Sequence, residues 1–121
     1  MTAIIEFQER KLGSRCCEGV AQPQLDPAAA QRLSDDLQIL GHPVRLQILD
    51  ILAQHAGQVC VCDLEAALPV KQPTVSHHLK LLRSAGLIDS ERHGQWAYYF
   101  IRRDSLAELR TRVSQWLNVL G

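Results

Sequence analysis

"QPTVSHHLKLLRSAGLI", residues 72–88, is the stretch on which the fold turns. Pro73 suits the first turn of a helix, where its missing N–H is no loss. Val75, Leu79 and Leu82 recur at i, i+4 and i+7, the stripe of a helix with one buried face. Gly86 supplies the stop. The remaining positions carry Thr74, Ser76, His77, His78, Lys80 and Arg83, a polar and basic surface rather than a second apolar one.

The flanking sequence gives this helix its setting. Upstream, Asp63 suits the start of a short helix through Leu68, so two short helices are joined by "PVKQ" (69–72). Downstream, "LIDSE" (87–91) and "WAYYFI" (96–101) read as strands joined by "RHGQ" (92–95), with Gly94 for the turn. Two helices followed by a hairpin with a basic tip is the order of a winged helix-turn-helix. Further out, Asp26-Pro27 opens "AAAQRLSDDLQIL" (28–40), which runs as helix to Gly41. Pro43 opens another, whose Val44, Leu46, Ile48, Leu49, Ile51 and Leu52 make a wide apolar face before Gly57. Asp104 or Ser105 can cap a last helix with Leu106, Leu109, Val113, Trp116, Leu117 and Leu120 on one face. The expected fold is mainly α with a small β-hairpin wing. Residues 1–25 are expected as a mobile arm carrying Cys16-Cys17, and 26–121 as one DNA-binding and dimerisation domain.

The chain has 121 residues and a formal net charge of zero, which hides an uneven distribution. Residues 1–70 carry five basic and nine acidic side chains, whereas 71–103 carry six basic against two acidic. The basic excess falls on the predicted helix and wing, where a phosphate backbone would meet it. Gln72, Thr74, Ser76 and His77 are positioned to read base edges, with Lys80 toward the phosphates. Arg92 and His93 stand at the wing tip, where a flexible turn can follow a minor groove. Adjacent His77 and His78 point about 100° apart on a helix and do not chelate together. His42, His55 and His93 lie in separate segments and read as ordinary polar positions.

No apolar run approaches the ~20 residues that span a bilayer, and the first residues mix acids and bases where a secretion signal needs an apolar core. A cytoplasmic protein without membrane contact is expected. In that compartment "VCVCDL" (59–64) is not expected to hold a disulfide, because thiols stay reduced and a one-residue spacing gives poor bridge geometry. Two buried core cysteines are one reading. A soft-metal site is the sharper one, since the four cysteines cluster as Cys16-Cys17 and Cys60-x-Cys62.

With these pieces in order, the sequence resembles the arsenical-resistance and metallothionein-repressor (ArsR/SmtB) winged-helix metalloregulators. The resemblance rests on "LGHPVRLQIL" (40–49), "VCVCDL" (59–64), residues 72–88 and "GQWAYYFI" (94–101), and it covers about residues 28–120. It implies a homodimeric repressor that binds a palindromic operator and leaves it on binding metal. It also implies dimerisation through residues 28–40 and 104–120, hence through Leu33, Leu37, Leu106, Leu109, Val113, Trp116 and Leu117. Independently, an apolar face as broad as that of the last helix needs cover.

"CVCDL" resembles the arsenic-sensing element of the family. Glu65 stands where arsenic sensors often carry a third cysteine, so the third sulfur for arsenite or antimonite must come from Cys16 or Cys17. An N-terminal Cys-Cys pair occurs in some arsenite-responsive relatives. Cadmium/lead sensors recruit a more widely spaced pair, and Cd(II) or Pb(II) is the alternative inducer. A zinc site on the last helix is disfavoured, because residues 104–120 contain no histidine. A thiol-based arsenate reductase or redox enzyme is the contrasting class. It would want an anion-binding loop or a Cys-x-x-Cys after a strand, and the sequence has neither.

Overall fold

The structure, a computed structural model, describes residues 21–121; Cys16 and Cys17 lie outside the described residues, as does most of the expected arm. Asp26 caps α1 (Pro27–Leu40), its Oδ1 accepting the Ala29 amide at 2.8 Å. His42 caps α2 (Pro43–Gln54) through Nδ1, which accepts the Val44 amide at 3.1 Å. The pair α3 (Val61–Ala67) and α4 (Gln72–Ser84) follows, then strands β1 (Ile88–His93) and β2 (Trp96–Ile101), and finally α5 (Arg103–Leu120).

The stripe read from residues 72–88 forms as predicted. Val75, Leu79 and Leu82 are buried, beside Ile48 and Leu52 of α2, Leu64 of α3 and Leu109 of α5. Leu46, expected on the same face of α2, is instead exposed. Gly86, at φ 79°, ends α4 in a left-handed turn. The Leu87 amide donates to Leu82 O and the Gly86 amide to Arg83 O, the paired bonds of a Schellman close. Leu87 and Leu82 are both buried beneath it, so the exit direction from α4 into the wing is fixed.

The wing is an antiparallel hairpin with Ile88 opposite Ile101 and His93 opposite Trp96. Its loop is only Gly94-Gln95, with Gly94 at φ 64°, as a two-residue hairpin requires. Arg92 and His93, expected in the loop, are therefore strand residues at the end of β1. The last helix also starts earlier than expected, with Arg102 rather than Asp104 or Ser105 at the cap. The Arg102 amide donates to Leu87 O at 2.8 Å while its carbonyl accepts from Leu106, so helix follows strand directly.

Helices α1 and α5 are tied by a two-toothed ion pair. Arg112 Nε and Nη2 donate to the two carboxylate oxygens of buried Asp36 at 2.7 and 2.9 Å. The hydrogen bonds to Asp36 raise the Arg112 pKa above its ordinary value. Asp36→Ala leaves the guanidinium without its partner and should cost about 2 kcal/mol of stability, read from urea unfolding.

Candidate functional site

Two groups of residues meet at the α3–α4–wing end of the domain. The first is the outer surface of α4. Gln72, Thr74, Ser76, His77 and Lys80 are all exposed. Ser76, His77 and Lys80 follow Pro73 at i+3, i+4 and i+7, opposite the buried Val75–Leu79–Leu82 stripe. Arg92 and His93 are exposed on the wing, with His93 Nε2 3.6 Å from Glu91. His78, expected among the polar surface residues, is buried instead: it turns toward α2 and meets Arg45 at 3.3 Å.

The second group is at the start of α3. Sequence reading put Cys60 and Cys62 before this helix; in the structure Cys60 is its N-cap and Cys62 lies in its first turn. Asp63 Oδ2 accepts the Cys60 amide at 2.9 Å and lies 3.3 Å from Cys60 Sγ. This is the reciprocal cap of an N-cap residue and its third follower. The three-residue spacing was visible in the sequence, but Asp63 read only as a helix start. The sulfurs of Cys60 and Cys62 lie against each other, with the Cα atoms 5.5 Å apart. The extended cap residue and the first helical turn bring both sulfurs to one side of the helix start, where they can face one ligand. Ligation of a metal requires the reduced pair.

Ligand atoms of Cys60, Cys62 and Asp63 all lie within 4.8 Å of one another. Two soft sulfurs and one hard oxygen suit a thiophilic ion and not magnesium or calcium. Cys60 is buried while Cys62 and Asp63 are exposed, so an ion can reach the group from solvent. The cluster opens on a cavity of about 610 Å³ walled by His93, Trp96 and Tyr98 of the wing. The preceding residue is tied to that wing, because the Tyr99 amide donates to Val59 O at 2.7 Å.

The residues expected at a dimer interface divide. Leu109 is 4% exposed and belongs to the domain's own core, and Leu33 is also buried. Leu106 and Val113 are half-buried against the same core. Leu37 and Leu117 are exposed, with Trp116 half-buried beside them. A partly open groove of about 640 Å³ lies between α1 and α5, with Leu25, Leu33, Trp116 and Val119 in its walls.

The family model "Bacterial regulatory protein, arsR family" matches residues 42–90. The chain is 37% identical over 79 residues to the HTH-type transcriptional regulator MJ1325 of Methanocaldococcus jannaschii, covering 65% of this chain and 88% of that protein. It belongs to the ArsR family. It is therefore a transcriptional regulator and not an enzyme. This ArsR-family chain is also 44% identical over 61 residues to the arsenical resistance operon repressor of Escherichia coli, covering 50% of this chain and 51% of the repressor. It is 35% identical over 77 residues to the cadmium resistance regulatory protein CadC of Listeria innocua, covering 64% of each.

Among solved structures, the ArsR-family chain superposes on a possible transcriptional regulator for arsenical resistance with a TM-score of 0.62 and 29% identity, covering 68% of this chain and 83% of that one. It superposes on the homodimeric winged helix-turn-helix DNA-binding domain Mb0332 of Mycobacterium bovis with a TM-score of 0.59 and 29% identity, covering 83% and 90%. The winged helix-turn-helix expectation is met. Among the described residues no helix is long and apolar enough to cross a membrane.

Proposed function

We propose that this ArsR-family regulator is a metalloid-responsive repressor. As a homodimer it holds operator DNA through the exposed surface of α4 and through the wing. It releases that DNA when arsenite or antimonite is ligated by thiolates of Cys60, Cys62 and the N-terminal pair Cys16-Cys17. The observation that carries this reading is the convergence of Cys60, Cys62 and Asp63 on one point at the start of the helix pair, against the wall of the wing.

In this reading Gln72, Thr74, Ser76 and His77 meet base edges in the major groove, and Lys80, Arg92 and His93 meet phosphates or the adjacent minor groove. The Val59–Tyr99 hydrogen bond offers the cysteine segment a direct grip on β2. A ligand that prefers one setting of that segment shifts the wing with it, and only that preference, not affinity alone, drives release. Asp63 holds the Cys60 amide throughout and keeps the start of α3 formed.

The resemblance to CadC and the presence of an oxygen donor support a second reading, in which Cd(II) or Pb(II) is the inducer. X-ray absorption on the loaded, reduced protein separates the two when paired with DNA-release assays. Three sulfurs around arsenic with arsenite-driven release supports the first reading. Release by cadmium or lead alone transfers the function to the second.

The DNA surface has its own test. Ser76→Ala with His77→Ala should weaken specific binding about tenfold or more while sparing non-specific binding. Lys80→Ala should weaken both and lower the salt slope by about one. Unchanged affinity in every variant, measured by anisotropy across salt concentrations, would remove α4 from the interface.

A further inference from the structure

The end of α1 and the middle of α4 meet at a single guanidinium. Arg45, in the first turn of α2, donates Nε–H to Ile39 O at 2.7 Å and Nη2–H to Gln38 O at 3.1 Å. Both carbonyls lie in the last turn of α1, and Gln38 O also accepts the Gly41 amide. The third arm, Nη1, lies 3.3 Å from His78 Nδ1 on α4. A guanidinium has no acceptor and keeps its protons, so His78 Nδ1 must be the acceptor. The contact is thus a hydrogen bond with His78 neutral and its proton on Nε2, the form that burial and its basic neighbours favour.

The surroundings hold it there. His78 is 6% exposed. Its ring lies 4.3 Å from that of His42, the cap of α2, and 5.4 Å from that of His77 on its own helix. The electrostatic neighbours His42, Arg45 and His77 are all basic. Acids on the other elements packed against α4 do not face His78: Asp63 of α3 holds the Cys60 amide, Asp89 of β1 pairs with Arg83 and Glu91 with His93, while Asp50 of α2 and Glu65 of α3 are exposed. Burial first, then His42, Arg45 and His77, lowers the His78 pKa below the ordinary histidine value.

We propose that Arg45, acting through neutral His78, is a positioning residue for operator recognition, setting the rotation of α4 against the end of α1, and that protonation of His78 undoes this setting. His77, one residue away, faces outward from the same turn, so a shift of the buried ring moves a DNA-reading side chain. The direction in pH follows from the folded state favouring neutral His78. The contact is fully present above the unfolded histidine pKa and is lost as pH falls through the lower folded value. Acid should therefore loosen specific operator binding.

This inference rests on the proposed DNA binding. The first test nevertheless needs no DNA: long-range ¹H–¹⁵N spectra of the full-length dimer at neutral pH should show His78 as the Nε2–H tautomer. The Nδ1–H tautomer would overturn the proposal. The second test uses a fluorescent duplex selected in vitro from random sequence. His78→Gln keeps an acceptor for Arg45 but cannot take up a proton at these pH values. Wild type should lose about fivefold in affinity between pH 7.5 and 5.5 beyond any loss shown by His78→Gln. Arg45→Lys should lose about tenfold at pH 7.5 with an unchanged dimer by sedimentation. Identical pH profiles for wild type and His78→Gln would sink the positioning role. Failure to select any duplex would instead sink the DNA-binding reading itself.

Discussion

Cys60→Ser or Cys62→Ser is expected to leave operator binding intact and to remove release by arsenite at every concentration that releases the wild-type protein. A trigonal arsenic site needs three sulfurs, and a serine hydroxyl is no substitute for a thiolate toward a soft ion. The structure explains why stability should survive. Cys60 is the N-cap of α3, and serine is among the preferred residues at that position. Its backbone amide keeps the bond to Asp63 whatever side chain it bears. Cys62 is exposed in the first turn, so serine there disturbs no packing. The measurement is an arsenite titration of the protein–duplex complex under reducing conditions, followed by anisotropy. Single changes at Cys16 and Cys17 should each be milder than the double change if either sulfur can serve. Normal arsenite release from Cys62→Ser would move the inducer site elsewhere.

Leu117→Glu should convert the dimer to a monomer and lower operator affinity by two or three orders of magnitude, on the order of the gain from joining two binding modules. Leu117 is 52% exposed, at the end of α5 where Val119 and Leu120 are exposed too. Glutamate at an apolar contact adds a desolvation cost to every dimer formed. Because Leu117 contributes nothing to the domain's own core, the melting temperature of the monomer should stay near that of the parent domain. Leu109 is the instructive contrast. It belongs to the same apolar pattern of residues 104–120 but is turned about 80° from Leu117, and it is buried within its own chain. Leu109→Ala should cost about 2–5 kcal/mol of folding stability and say nothing of dimerisation. Sedimentation with thermal unfolding separates the two outcomes. A dimeric Leu117→Glu with wild-type affinity would relocate the interface.

The contrast between Leu109 and Leu117 also marks how far the sequence was legible. Periodicity identifies the apolar face of a helix, and every helix and both strands could be read from it with boundaries a few residues off. It does not say whether that face meets its own domain or another molecule, since both need the same residue types. The pattern of α4 was read correctly on its buried stripe, but His78 was placed on the surface. Its partner Arg45 is 33 residues away, and a contact at that separation leaves no trace in a local pattern. The wing was shorter in its loop than expected, because a single glycine at positive φ suffices to turn two strands. Asp63 was visible but under-read: one carboxylate serves both a helix cap and the cysteine group. Cys16 and Cys17 lie outside the described residues, and their part in the site stands on chemistry alone.

The hydrogen bond from Tyr99 to Val59 has a thermodynamic consequence as well as a geometric one. A two-stranded hairpin is marginal by itself in water. Here the cysteine segment lends β2 a second neighbour through one bridge, so the wing borrows cooperativity from the residues that lead into α3. Hairpin and cysteine segment are then expected to open and close as one local unfolding unit. The most easily melted part of the domain is then not a free-standing wing but a joint between the hairpin and the cysteine segment, and a ligand that orders one side of that joint would also change how often the other comes apart.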